Sequence, residues 1–342
     1  MKTAAELLKD NVVIDTHLDL LFDVECKHRA GRKNVIVEDY LDSFRAGGVD
    51  VVVSSIFIDA EFLPELGLSK ALDQISAFYH EFDSCGGAFV LATCTDDILR
   101  ARSEGKLAIM LAFEGIEPLC GRIAQLRAFY ALGVRIVGLC WSRSNWAADG
   151  SRFFDAAYEG YGLTEAGRAL VAEARRLGML IDVSHTNEKT FWDVLRGTPA
   201  PVIATHSCAR ALSDTPRNLS DAQIKAIADC GGVIGVNGAS LVAKFSDPKS
   251  ATIDTLIDHY EYEKKLASPA LLGIGFDQCD RIAAQSATMQ SDPALSAVFD
   301  IVPTHDGLVA FTERLIARGF SEDEISGLLG GNVMRVLRTT IG

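Results

Sequence analysis

The amino-acid sequence predicts an α/β protein, specifically a (β/α)8 TIM barrel. Three observations carry this expectation. Eight apolar, β-branched runs recur along the chain, segments of helical periodicity separate them, and no Gly-rich turn follows the first run. The runs lie near 12–17, 50–57, 107–114, 134–140, 179–185, 201–206, 232–237 and 271–277. Continuous apolar runs of this length read as buried parallel strands. Strands alternating with helices imply a parallel sheet, and eight such units suggest closure. An open doubly wound sheet is the competing architecture. It would usually place a Gly-rich turn after its first strand, where this chain has Thr16-His17-Leu18-Asp19.

Taken in order, the runs end in a recurring kind of residue. The first closes on His17 and Asp19, the third on Glu114, the fifth on His185, the sixth on His206 and the eighth on Asp277. Buried charge is costly unless it is paired or metal-bound, so several strands finishing this way suggest one shared metal site. Between the runs, helix caps are legible. Thr164 opens a helix through Leu177, with Gly178 at the C′ position. Ser220-Asp221-Ala222-Gln223 is a capping box stopped by Gly231-Gly232, and Ser321 to Glu324 opens the last helix.

At 342 residues and 48% hydrophobic, the chain can bury a large core. The absence of repeats, low-complexity tracts and Pro/Ser-rich linkers suggests a single domain over 1–342, with long loops near 142–163 and 278–304. The net charge of −13 argues against a nucleic-acid partner, because phosphates require Lys and Arg. Eight scattered cysteines without a C-x-x-C pair read as reduced thiols. No run reaches the roughly 18 apolar residues that span a bilayer, and the N-terminus lacks a signal-type apolar region. The expectation is a soluble, cytoplasmic protein with no membrane partner.

His17 and Asp19 are two apart on a strand and so point to one side, where an imidazole and a carboxylate can clasp a divalent ion. Asp15 is expected on that face one step deeper, orienting a ligand. His185 and His206 end neighbouring strands. Glu114, ending the third, is the candidate bridge between two metals. His, Asp and Glu would serve one ion and Glu, His and His the other. Nitrogen and oxygen ligands without thiolate suit two Zn²⁺ and would accept Mn²⁺ or Co²⁺. Asp277 could ligate or carry a proton, and the proton role is favoured because amide hydrolysis needs one at the leaving nitrogen. His28, His80 and His259 read as structural or surface residues. His305 follows the long 278–304 loop and is assigned no role.

At this point the chain resembles the renal (membrane) dipeptidase family, the M19 metallopeptidases, over nearly its whole length. The motifs are Ile14-Asp-Thr-His-Leu-Asp19, Phe113-Glu114-Gly115, Leu163-Thr-Glu-Ala-Gly167, Leu177 through His185, and Pro201 through Ser207. Arg217-Asn218, Gly231 through Asn237 and Gly330 through Leu337 follow in the family's order. The resemblance implies a barrel of the metallo-dependent hydrolase type, two zinc ions, and hydrolysis of dipeptides with a free C-terminal carboxylate. His17 and Asp19 would hold one ion, His185 and His206 the other, and Glu114 would bridge them. Asp277 matches the acid near the bridging water. Arg217, by itself an ordinary cation before a helix, matches the arginine that receives the substrate carboxylate, a pairing its planar fork favours.

Two departures fall in the substrate pocket. Where the family usually has a histidine contacting the substrate carbonyl, this chain has Trp141, whose indole N–H donates a single hydrogen bond. Arg143 and Asn145 are the candidate replacements, and Trp141 and Asn145 are taken with Arg217 as substrate-binding. After Asp277 the chain reads Gln278-Cys-Asp-Arg281 rather than the family's Phe-Asp-Gly. The expected mechanism is attack by a metal-bridging hydroxide on the scissile carbonyl, with Asp277 protonating the amine. The alternative is a related amidohydrolase acting on N-acyl amino acids or another small amide. A His-x-His opening and a bridging lysine, common in other amidohydrolase and nuclease barrels, are missing; Lys106 lies at the wrong end of its strand. A non-catalytic protein that binds zinc and dipeptide is the third reading, encouraged by Trp141 alone. A homodimer is compatible with a family of this shape.

Overall fold

The computed structural model describes residues 2–196 and 200–342. Nine strands among these residues join one parallel sheet. They are β1 (Ile14–Leu18), β2 (Val51–Phe57), β3 (Phe89–Leu91), β4 (Leu107–Glu114), β5 (Val134–Gly138), β6 (Leu180–Asp182), β7 (Val202–Ala204), β8 (Val233–Val236) and β9 (Leu272–Ile274). Eight of them close a ring in the order β1-β2-β4-β5-β6-β7-β8-β9, with β9 returning to β1. The architecture is the (β/α)8 barrel, and all eight expected runs supply its staves.

The ninth strand was not expected. β3 pairs with the lower half of β4, Phe89 opposite Leu107, while β5 takes the upper half, Leu111 opposite Val134. Its short apolar stretch lies ahead of a helix, Thr95–Ser103, and fills a gap that β5 is too high to reach.

Helix boundaries follow their caps. The Ser220 hydroxyl accepts from the amide of Gln223, whose side chain returns to the Ser220 amide, and the helix runs Asp221–Asp229. Thr164 caps Glu165–Arg176, and Gly178 takes φ +75° just beyond it. The Ser321 box opens only Glu322–Ser326; a π-helical turn, Gly327–Gly331, then leads to the terminal helix Asn332–Thr340. Gly330 is required in that turn, because a Cβ there would stand 2.3 Å from the Val12 carbonyl oxygen.

Barrel interior and exterior alternate along each strand. On β4, Ala108, Met110 and Ala112 belong to the interior cluster, while Ile109, Leu111 and Phe113 pack outward against helices. Val333, Met334 and Leu337 of the terminal helix join the interior cluster and plug one end. Toward the other end the same inward positions turn polar: Thr16 above Ile14, Ser55 above Val53, Glu114 above Ala112, Asp182 above Leu180 and Thr205 above Ile203. The interior therefore changes from hydrocarbon to ligand atoms within one or two steps at the C-terminal mouth, where barrels of this kind build their sites. No helix among the described residues is long and apolar enough to cross a membrane.

Candidate metal centre

β1 delivers two ligand-type side chains because it is irregular. Its pairing with β2 runs Ile14–Val51 and Asp15–Val52, then slips by one residue to Leu18–Ser54. One extra residue on β1 re-aims the chain at a bulge. The Thr16 hydroxyl turns inward, 2.5 Å from the Thr205 carbonyl and 2.7 Å from that of Ile274. His17 Nε2 then faces Asp19 Oδ1 at 3.9 Å, Glu114 Oε2 at 3.7 Å and Asp277 Oδ1 at 3.8 Å. Asp15 does not share this face, contrary to the simple alternation of a strand. Its carboxylate accepts from the amides of His17 and Phe276 at 3.2 Å and meets His305 Nε2 at 2.7 Å. It fixes the backbone beneath the site, and His305 is its partner rather than a pocket residue.

The other half gathers around the second oxygen of Glu114. Oε1 lies 3.0 Å from His185 Nε2 and 3.5 Å from His206 Nε2, and those two nitrogens are 2.8 Å apart. Glu114 thus turns one oxygen toward His17 and the other toward the histidine pair, the posture of a bridging carboxylate. His185, with φ +63°, and Asp277, with φ +52°, both hold left-handed backbone, which non-glycine residues adopt at a cost and which concentrates at functional sites.

Every member of the group is buried apart from Asp277, which is partly open to the cavity. Burial, with the Arg217 charge behind it, lowers His17 to about 3. His185 and His206 are pushed down for the same reasons. Burial raises Asp19, and it raises Glu114 and Asp277 far more, with neighbouring carboxylates adding to both. Without a counter-charge, burial disfavours the charged forms of the imidazoles and of the carboxylates alike. His17 Nε2 and Glu114 Oε2 are buried with no hydrogen-bond partner among the described residues. Unpaired buried acceptors aimed at common points are what a cation satisfies, and the donor set of imidazole and carboxylate suits zinc. The residues fit two such ions.

The wider cavity is lined by Asp19, Glu114, His185, Arg217 and Asp277, with an apolar wall that includes Phe57, Trp141, Phe153, Ile282, Met289 and Leu295. Arg217 is buried, donating from one terminal nitrogen to Ser207 Oγ at 3.0 Å and from the other to the His206 carbonyl at 2.6 Å. Its Nε is left without a partner among the described residues. Trp141 sits in the wall with its ring 5.7 Å from Phe57, 5.9 Å from Phe153 and 5.7 Å from His185. Asn145 is not brought to the cavity. Its amide donates to the Leu139 carbonyl at 2.8 Å and its oxygen accepts from the amides of Ala147 and Ala148, so it shapes the loop instead. Arg143 stands behind Trp141, paired with Glu117 at 2.7 Å and bonded to the Ile58 carbonyl.

Sequence reasoning missed several partners. Ser55 donates to Asp19, and Asn237 Nδ2 donates to Asp277 Oδ2 at 2.8 Å. Adjacent serines inside the apolar run 51–58 were the available signal for the first. A further ligand-type group, Cys279, Asp280 and Asp300, spends the Asp300 carboxylate on the amides of Cys279 and Asp280 and ties the root of the 278–304 loop.

Comparison with known proteins identifies the family. The family model for membrane dipeptidase (Peptidase family M19) matches residues 1–341. A Klebsiella pneumoniae protein of the pqqA 5′ region is 35% identical over 262 residues, 74% of this chain and 89% of that protein. Human dipeptidase 3 is 28% identical over 345 residues, covering 98% of this chain but 66% of the human protein. The solved structure of a metallo peptidase from Rhodobacter sphaeroides, liganded with a phosphinate mimic of the dipeptide L-Ala-D-Ala, matches with a TM-score of 0.83 at 25% identity, over 96% of this chain and 99% of that one. The chain belongs to the membrane dipeptidase family, the metallo-dipeptidases of Peptidase family M19.

Proposed function

We propose that the protein is a two-zinc dipeptidase that cleaves dipeptides bearing a free C-terminal carboxylate and apolar side chains. The observation that carries this reading is Glu114, one oxygen facing His17 and the other facing His185 and His206. His17, Asp19 and Glu114 would hold one ion and Glu114, His185 and His206 the other. When bound, such a pair supplies a hydroxide near neutral pH and polarises the scissile carbonyl.

The chain's own residues do the rest. Arg217 has a buried, unpaired Nε beside the cluster, and a substrate carboxylate satisfies it. Asp277 lines the cavity and is oriented by Asn237; as a carboxylate beside bound cations it would take a proton from the attacking water and pass it to the leaving amine. The apolar wall excludes water and receives the substrate side chains. The dipeptide mimic held by the related Rhodobacter metallo peptidase supports a ligand of this size.

A second reading, hydrolysis of N-acyl amino acids, is favoured by one observation. Among the described residues the acids lining the cavity are Asp19, Glu114 and Asp277, all within the cluster, so a substrate ammonium meets no further acid there. One panel tests both: dipeptides with apolar, polar and charged side chains, in L,L and L,D forms, beside N-acetyl amino acids, with zinc counted per chain. Apolar dipeptides are expected to turn over fastest, and His185→Ala or His206→Ala to abolish both turnover and binding of the second zinc. Full turnover by either variant with one zinc per chain rejects the two-ion site. Turnover confined to the N-acetyl substrates selects the second reading.

A further inference from the structure

Asp182 is a buried carboxylate of the Leu177–His185 motif that the proposed reaction does not use. We propose that Asp182, acting through the hydroxyl of Thr205, sets the tautomer and ring orientation of His206 and so the affinity of the second cation position. This rests on the two-ion reading above.

Thr205 Oγ1 lies 2.5 Å from Asp182 Oδ2 and 2.8 Å from His206 Nδ1. A hydroxyl carries one proton, and the carboxylate is the acceptor for it. The Thr205 oxygen is then left to accept, and His206 Nδ1–H is the donor that faces it. A neutral imidazole has a single N–H, so Nε2 is left with a lone pair. That lone pair points into the cluster, 2.8 Å from His185 Nε2 and 3.5 Å from Glu114 Oε1.

The same carboxylate also holds the backbone that presents the histidines. Asp182 Oδ1 accepts from the amides of Ser184 at 2.8 Å and Thr205 at 3.0 Å, the residues immediately before His185 and His206. The His206 amide donates to Ser184 Oγ at 3.1 Å. Asp182, Ser184, Thr205 and His206 are all buried, so no solvent competes for these bonds. Burial opposes the charge on Asp182, but its oxygens accept from two amides and the Thr205 hydroxyl, which favour the carboxylate. The second position shares its one direct carboxylate, Glu114, with the first, so this group one hydroxyl behind His206 raises the basicity of a ligand there. His185 has a weaker device, a hydroxyl alone: Ser142 Oγ at 2.8 Å from its Nδ1. Asp182 and Thr205 are therefore positioning residues.

The test uses the full chain and three variants, Thr205→Val, Thr205→Ser and Asp182→Asn. Zinc affinities are measured by chelator competition, and the His206 tautomer is read by ¹⁵N NMR of imidazole-labelled, metal-free protein. Thr205→Val keeps the branched shape but not the hydroxyl, and it is expected to weaken the second zinc by about 10–100-fold while leaving the first unchanged. Thr205→Ser keeps the hydroxyl and should restore most of that affinity, leaving a deficit well below about tenfold. Wild-type His206 should be in the Nδ1–H form, and Thr205→Val should lose that preference. Second-site affinity unchanged in Thr205→Val, or an Nε2–H His206 in the wild type, overturns the proposal. If Asp182→Asn fails to fold, the two Thr205 variants still decide it. If the wild type takes up one zinc and cleaves nothing, the two-ion reading fails, and the tautomer measurement still judges the relay.

Discussion

Arg217 is a guanidinium with two nitrogens bonded and one idle. A hydrogen bond to a charged group is worth about 1.5–3 kcal/mol, so losing the substrate carboxylate contact should cost roughly 10- to 150-fold in kcat/KM. Arg217→Ala is expected to show that loss on free dipeptides. On C-terminally amidated dipeptides the wild type should already be impaired, and the variant should lose little more. Equal losses on both substrates would place Arg217 outside carboxylate recognition. Arg217→Lys should rescue poorly, because one ammonium nitrogen cannot occupy the separate positions from which the guanidinium nitrogens reach Ser207, His206 and the substrate. Asn145 makes the opposite case. Its three bonds are all to loop backbone, so Asn145→Ala should lower stability by about 1–3 kcal/mol and leave KM nearly unchanged. A large KM effect with unchanged stability would return Asn145 to the pocket. The clustered polar residues were legible because each ends an apolar run, where a polar group needs a reason. Asn145 misled because a loop asparagine looks the same whether it binds substrate or turns the chain.

At the scale of elements, one carboxylate holds the segment that roofs the cavity. Asp59, buried just past β2, accepts from Ser286 Oγ at 2.6 Å, Thr288 Oγ1 at 2.5 Å and the Thr288 amide at 3.2 Å. These bonds span more than two hundred residues and seat Ile282, Met289 and Leu295 over the mouth. Asp59→Ala should release this roof while the barrel stays intact. Hydrogen exchange should quicken across 280–298 and KM should rise, with the zinc count unchanged. Protection unchanged across 280–298 would show that the apolar contacts suffice alone. Nothing local in the sequence signals such a clasp, because its two sides are far apart along the chain. The staves were legible for the opposite reason: each is a continuous apolar run between caps, a pattern contained within one element. β3 escaped because three residues are too few to stand out, and the bulge in β1 escaped because a slip of register depends on its neighbour β2. The Ser321 box marked its helix correctly, but the π-helical turn that shortens it follows from the approach of Gly330 to Val12.

For the whole molecule, the buried acids make stability depend on pH in a way that cations should change. Burial holds Glu114, Asp277 and Glu263 well above the ordinary carboxylate range in the folded, metal-free protein. In the unfolded chain they ionise near pH 4. Above that pH the unfolded state has lost protons that the folded state keeps, so stability falls as pH rises toward the raised values. His17, His185 and His206 act with the opposite sign, since their folded values are lowered, but only below about pH 6.5, where unfolded histidine takes up a proton. Between pH 6.5 and 8 the acids act alone, and each carboxyl still protonated contributes roughly 1.4 kcal/mol of lost stability per pH unit. Zinc bound as proposed would replace the proton on Glu114 and draw the proton from nearby Asp277, leaving Glu263 as the remaining source of the slope. Chelator-stripped protein should therefore lose melting temperature steadily from pH 6.5 to 8, while zinc-loaded protein should lose much less or gain. Zinc uptake should also release protons, seen as a dependence of the calorimetric binding heat on buffer ionisation enthalpy. Parallel melting curves with and without zinc, together with no proton release, would mean that the acids at the mouth are already ionised without a cation and that the cluster does not depend on metal for its charge balance.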